Sequence, residues 1–136
     1  MEIRGTGSYL PGKIITNDDL SEVVDTNDEW ISSRTGICQR HISEGETTSE
    51  MAAKAAVAAL EDAEVSPEEV ELIIVATMTG DEAMPGTACK VQKEIGAVHA
   101  ACFDLSAACT GFVFALNTAN AYLASGMYRN ALVIGA

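Results

Sequence analysis

The run Ala101-Cys102-Phe103-Asp104-Leu105-Ser106-Ala107-Ala108-Cys109-Thr110-Gly111-Phe112-Val113-Phe114-Ala115-Leu116 changes character at its middle. Its front, residues 101–105, reads as a short buried strand. Its back reads as the start of a long apolar helix, running from about Cys109 to Ser125 with Gly126 as its stop. Cys109 stands at the join. A thiol on the first turn of a helix meets unpaired N–H groups and the positive end of the macrodipole. Both favour thiolate, so a cysteine here becomes a nucleophile without a neighbouring base.

Working outward from that stretch gives the fold class. Leu72-Ile73-Ile74-Val75-Ala76 is an unbroken apolar run rich in branched residues, the pattern of a central strand covered on both faces. A polar loop, 77–86, follows. Thr87 is placed to cap a helix reaching Ile95, which Gly96 stops. Residues 131–135 form a third apolar strand. The order strand, helix, strand, helix, strand predicts an α/β layer with parallel strands. Ligands in such sheets bind beyond the carboxyl ends of the strands, which is where Cys109 falls. On the last helix the expected buried face is Phe112, Leu116, Ala119 and Leu123. The chain ends on a strand that reads as central, so it is expected to be the N-terminal part of a longer polypeptide.

The first third is read the same way. Glu2 to Tyr9 is expected to be a strand, closed by Leu10-Pro11-Gly12. Its Gly5-Thr6-Gly7 invites comparison with a dinucleotide fingerprint, but the third glycine is missing and Pro11-Gly12 stands where a helix should begin. Close backbone packing is the alternative use of these glycines. Asn17 to Ser33 carries six acids and no base, and reads as two short surface helices capped by Asn17 and by Asn27 or Thr26. Trp30, the only tryptophan, is either a packed anchor or a stacking platform beside a guanidinium, the latter suited to a purine. Cys38 to Ile42 is a short extended piece. Thr47 and Glu50 have the spacing of a capping box at the head of a helix through Ala63 that is apolar nearly all round, hence buried on more than one side. Ser66-Pro67-Glu68-Glu69 opens one further turn.

Composition limits the function. The 136 residues match one domain, and 48% hydrophobic content allows a substantial core. A net charge of −12 argues against nucleic acid or an acidic membrane as partner. The four cysteines (38, 89, 102, 109) include no C-x-x-C pair, and with two histidines they argue against a metal site. No apolar run reaches the length of a membrane span, and Met1 is followed by Glu2 and Arg4 rather than an apolar leader. A cytoplasmic protein with free thiols is expected. Cys89 and Cys102 are read as buried apolar thiols.

Five stretches in register resemble one family. Gly5-Thr6-Gly7-Ser8-Tyr9-Leu10-Pro11, Asp28-Glu29-Trp30-Ile31, Arg34-Thr35-Gly36-Ile37, Arg40-His41-Ile42 and Ala107-Ala108-Cys109-Thr110-Gly111-Phe112 are similar to the β-ketoacyl-[acyl-carrier-protein] synthase III enzymes, thiolase-fold condensing enzymes. The resemblance implies a thiolase-like α/β/α half over residues 1–136, with a mixed, mostly parallel sheet and a buried central helix. It implies an acyltransferase that starts fatty-acid synthesis. An acyl-CoA primer would load Cys109, and malonyl-acyl carrier protein would then condense with the acyl-cysteine. By resemblance the Cys109 amide is an oxyanion donor. Trp30 stacks on the CoA adenine, Thr26 hydrogen-bonds it, Arg34 contacts the nucleotide end, and Met84 lines the acyl pocket across a homodimer interface. A phenylalanine is common where Met84 stands, and the flexible thioether suits a longer or branched primer. No cofactor beyond the acyl-CoA substrate is implied. The family's catalytic histidine and asparagine match nothing here; His41 and His99 do not correspond to that histidine, so this chain alone is not expected to complete condensation. The alternatives are a hydroxymethylglutaryl-CoA synthase-like or secondary-metabolite ketosynthase on the same fold, and a non-catalytic acyl-CoA-binding or dimerisation module.

Overall fold

A computed structural model describes residues 1–136. In chain order the elements are β1 (Lys13–Thr16), α1 (Asn17–Ser21), α2 (Asp28–Thr35), β2 (Gln39–Ile42), α3 (Thr48–Ala63), β3 (Leu72–Ala76), α4 (Thr87–Ile95), β4 (Ala101–Leu105), α5 (Gly111–Ala124) and β5 (Leu132–Gly135). They gather into two compact units, residues 1–9 with 47–136 and residues 10–46.

The larger unit is built on a parallel sheet in the order β4-β3-β5. All five residues of β3 are buried, as its unbroken apolar run predicts. Alternation along the strand sends Ile73 and Val75 to one face, where Ala52, Ala53 and Ala56 of α3 and Val91 of α4 pack. Leu72, Ile74 and Ala76 face the other way, onto Ala115 and Ala119 of α5. The result is a helix–sheet–helix layering. Each branched side chain buried here contributes about 1.5–3 kcal/mol. The strand–helix alternation from residue 72 and the parallel pairing are as expected, with β3 between β4 and β5.

Two expectations change. The segment Glu2 to Tyr9 is not a strand. Its glycines lie against the backbone of α3. A Cβ on Gly5 would meet the Ala63 nitrogen at 2.5 Å, and one on Gly7 the Ala59 nitrogen at 2.3 Å. The Thr6 N–H donates to the Asp62 carboxylate at 2.8 Å. Close backbone packing is therefore the role of these glycines, and α3 is covered on two sides, by the sheet and by this segment.

The second change concerns α5, whose buried stripe is Gly111, Ala115 and Ala119. Of the four residues expected there only Ala119 is buried; Leu116 and Leu123 are half-buried and Phe112 is exposed. With Phe112, Val113 and Phe114 outside the stripe, hydrophobicity alone does not choose the buried face. Size chooses it, because a Cβ on Gly111 would already stand 3.2 Å from the Ala76 Cβ. Val113 and Phe114 also face outward, so within these residues α5 is buried along one stripe.

In the smaller unit β1 and β2 pair antiparallel, from Lys13 opposite Ile42 to Thr16 opposite Gln39, with α1 and α2 between them in sequence. Thr16, not Asn17, caps α1, in a capping box with Asp19. Asn17 is instead buried at the first helical position. Its amide donates to Asp28 and to the Ile37 carbonyl, both at 2.7 Å, and its oxygen accepts from Arg40. Asn27 caps α2 through the Trp30 N–H, as the sequence suggests. No helix is long and apolar enough to cross a membrane.

Candidate active site

β4 sends Phe103 and Leu105 toward α5, while Cys102 and Asp104 turn to the α4 side. Beyond Leu105 the chain leaves the sheet in a tight turn. Ala107 sits at φ −148°, ψ 33°, and Ala108 takes a left-handed conformation at φ +47°. A 3₁₀ turn, Ala108–Thr110, follows, and α5 starts at Gly111. Cys109 is thus in the turn immediately before α5 rather than on the helix's own first turn, and it is exposed. A left-handed alanine costs about 1–2 kcal/mol relative to the right-handed form. The turn is held regardless. Thr110 donates to the Ala107 carbonyl from both its hydroxyl (2.8 Å) and its N–H (3.2 Å), and Gly111 is wedged on Ala76. Strain held by its surroundings is a mark of functional turns.

The carboxyl edge of the sheet surrounds this turn. The Thr77 N–H donates to the Leu105 carbonyl at 3.2 Å, and the Ser106 hydroxyl reaches the Met78 sulfur at 2.9 Å. The loop 77–86 therefore leaves β3 beside the segment that carries Cys109. Two carboxylates pin it. Asp81 accepts from the Ser49 hydroxyl at 2.5 Å and from Lys90 at 3.5 Å. Burial works to raise the Asp81 carboxyl, but the Ser49 hydrogen bonds and the Lys90 charge outweigh it and hold it below the usual range. At the far end Asp104 accepts from the Thr87 and Ala88 N–H groups at 2.7 and 2.6 Å. This carboxylate, not the Thr87 hydroxyl, closes the start of α4, where Gly86 is the cap residue. Met84, between these anchors, is 85% exposed.

The smaller unit brings Trp30 and Arg34 together on one turn of α2. The Arg34 guanidinium carbon lies 4.6 Å from the Trp30 ring centroid, and the same guanidinium donates to the Trp30 carbonyl at 3.3 Å. Trp30 is 54% exposed, which removes the reading of a core anchor. Thr26 is half-buried in the turn just before the Asn27 cap. His41 is used structurally, with Nδ1 at 2.5 Å from the Pro11 carbonyl, and His99 is exposed before β4. No three His, Cys, Asp or Glu side chains are grouped to hold a metal. Cys89 and Cys102 are half-buried rather than buried, and their sulfurs touch. A hollow along α5 is lined by Phe114, Thr118, Ala121, Tyr122 and Met127 and does not include Cys109.

The sequence pointed to Cys109, Trp30 and Arg34 by their chemistry. It gave no sign of Ala108, because an alanine carries no mark of the dihedral it will adopt. Nor did it show Asp104 and Asp81, whose partners are distant in the chain.

The chain is similar in sequence and fold to known proteins. The family model described as 3-oxoacyl-[acyl-carrier-protein (ACP)] synthase III matches residues 103–136. A protein of Clostridium acetobutylicum named β-ketoacyl-[acyl-carrier-protein] synthase III is 61% identical over 135 residues, 99% of this chain and 42% of that protein. The crystal structure of 3-oxoacyl-[acyl-carrier-protein] synthase III from Aquifex aeolicus superposes with a TM-score of 0.97 at 51% identity, over 99% of this chain and 44% of that one. A priming β-ketosynthase of the R1128 polyketide pathway gives a TM-score of 0.94 at 41% identity, over 98% of this chain and 40% of that one. The chain spans about two fifths of the length of these proteins.

Proposed function

We propose that this chain, whose sequence and thiolase-type fold are those of the β-ketoacyl-[acyl-carrier-protein] synthase III family along its whole length, supplies the acyl-accepting half of a condensing enzyme. The carrying observation is Cys109, an exposed thiol on a strained turn at the carboxyl edge of a parallel sheet. Its thiolate attacks the thioester carbonyl of an acyl-CoA. The oxyanion of the tetrahedral intermediate is met by the Cys109 N–H, and collapse expels CoA thiolate to leave an acyl-cysteine. Trp30 and Arg34 bind the far end of CoA, the indole stacking on adenine and the guanidinium facing the nucleotide, with Thr26 hydrogen-bonding the base. Support for this comes from the open indole face and the guanidinium held against it.

The complete enzyme is read as a cytoplasmic homodimer that passes the acyl group to malonyl-acyl carrier protein, with loss of CO₂, to start fatty-acid synthesis. Met84, standing far out of its own surface, suits a contact with the acyl pocket of a second copy. The domain reading stays one thiolase-type half over residues 1–136, needing no cofactor beyond its CoA substrate. The histidine and asparagine that stabilise the carbanion in this family have no counterpart among the residues here, so acylation, not condensation, is the step assigned to them.

A second reading, a ketosynthase priming a secondary-metabolite pathway, is favoured by the likeness to the polyketide priming enzyme and by the pliable Met84. Release of CoA from acyl-CoA tests both. One equivalent of CoA thiol per chain from acetyl-CoA, abolished by Cys109→Ala, is the expected result. A clear preference for longer or branched acyl-CoA would favour the second reading. Release that survives Cys109→Ala would refute the assignment.

A further inference from the structure

Outside the acyl-transfer site, one pair of reactive side chains is brought together by the fold. Cys89 lies in the first turn of α4 and Cys102 is the second residue of β4. They are 13 residues apart in sequence, and their sulfurs are 3.4 Å apart across the packing of α4 on the sheet. Closing that contact to a covalent bond requires an approach of about 1.4 Å, since a disulfide is about 2.05 Å long. Both side chains are half-buried, so each stays within reach of a small reagent. The elements around them are firmly set. Asp104, two residues on along β4, holds the Thr87 and Ala88 N–H groups, so the first turn of α4 is already fixed against β4. The Gln92 side-chain oxygen, one turn along α4, lies 3.3 Å from the Cys102 sulfur and orients that thiol.

We propose that Cys89 and Cys102 form a reversible dithiol–disulfide site, closed by low-molecular-weight disulfides and reopened by thiols. Cys89 is the point of entry. Burial, then the Cys89 neighbour and the Asp104 charge, push the Cys102 thiol up to about 11, so it stays protonated at neutral pH. The Cys89 thiolate attacks one sulfur of the disulfide and expels a thiolate, leaving a mixed disulfide on Cys89. The Cys102 sulfur then attacks the Cys89 sulfur and expels the second thiolate. The two protons lost by the protein thiols end on the two small thiols released, and the protein is oxidised by the two electrons that reduce the reagent. A closed bridge would tie the start of α4 covalently to β4, beside the far anchor of the loop 77–86. In a reducing compartment such a bond is transient, which is the usual setting of a redox-responsive pair.

The test uses the full chain carrying Cys38→Ser and Cys109→Ala, which removes both exposed thiols. It is treated with hydroxyethyl disulfide, and remaining thiols are alkylated after unfolding. Tryptic cleavage at Lys90 and Lys93 places Cys89 and Cys102 in different peptides. The expected product is a chain two hydrogens lighter, with a single Cys89–Cys102 linked peptide that dithiothreitol splits. Adding Cys102→Ser should stop the reaction at a mercaptoethanol adduct on Cys89. Separate adducts on the two cysteines, unreacted cysteines that alkylate, or linkage only between chains would overturn the proposal. The map of the Cys102-containing protein decides the matter by itself where Cys102→Ser does not fold.

Discussion

Ala108 occupies a backbone conformation that glycine adopts freely and alanine resists, and it does so directly before the proposed nucleophile. Replacing it by glycine relieves about 1–2 kcal/mol of strain. The added freedom of the unfolded chain takes back about 0.5–1 kcal/mol. Ala108→Gly should therefore melt no lower than the parent while acylating more slowly, because the turn that aims Cys109 is slackened; thermal unfolding and CoA release read the two effects separately. Trp30 gives the opposite dissociation of fold from function. It is half exposed and makes its ring contact with Arg34 on its own helix. Trp30→Ala should leave the melting temperature nearly unchanged but weaken CoA binding about tenfold, the scale of one lost stacking contact, as measured by calorimetry. These positions differ in legibility. A tryptophan four residues from an arginine, or a cysteine between a strand and a helix, announces its chemistry. The left-handed Ala108 is imposed by the Thr110 hydrogen bonds and the Gly111 contact, none of which leaves a mark in an alanine.

Among the elements, β3, β4, β5, α3 and α4 were readable because local signals agreed: an unbroken branched run, a capping box at Thr47 and Glu50, a glycine stop at 96. The Glu2 to Tyr9 segment misled because a strand is defined by its neighbour, and here the neighbour is the backbone of α3. That contact gives a sharp prediction. A methyl group on Gly7 would fall 2.3 Å from the Ala59 nitrogen and 2.4 Å from the Ala55 oxygen, backbone atoms that cannot step aside. Gly7→Ala should destabilise by about 2–4 kcal/mol or release the first nine residues from α3; denaturant unfolding and limited proteolysis distinguish the two. The face of α5 was illegible for a different reason. Large apolar residues (Phe112, Val113, Phe114) lie outside its buried stripe, so the size of Gly111, Ala115 and Ala119 against the sheet reveals which stripe is buried.

For the whole molecule, charge sets the pH range of stability. Hydrogen bonds from Thr16 lower the Asp19 carboxyl, and those from Arg129 lower Glu71. Asp81 is lowered against its own burial by Ser49 and Lys90. Carboxyls held below their unfolded values of 3.8 and 4.5 add stability that is fully present above those values and is lost as pH falls through the folded ones. This contribution should be fully present at neutral pH and shrink as pH falls below about pH 4, with Glu71→Gln removing part of that fall in melting temperature. The layered architecture follows from alternation in β3, and it puts Cys109 at the sheet edge where such folds bind ligands. Whether that thiol accepts the acyl group is the central question, and it is answered most directly by peptide mapping after incubation with acetyl-CoA. The prediction is acetyl on Cys109 alone among the four cysteines, lost in Cys109→Ala. Label on Cys89 or Cys102, or equal label on the other exposed thiol, Cys38, would contradict it.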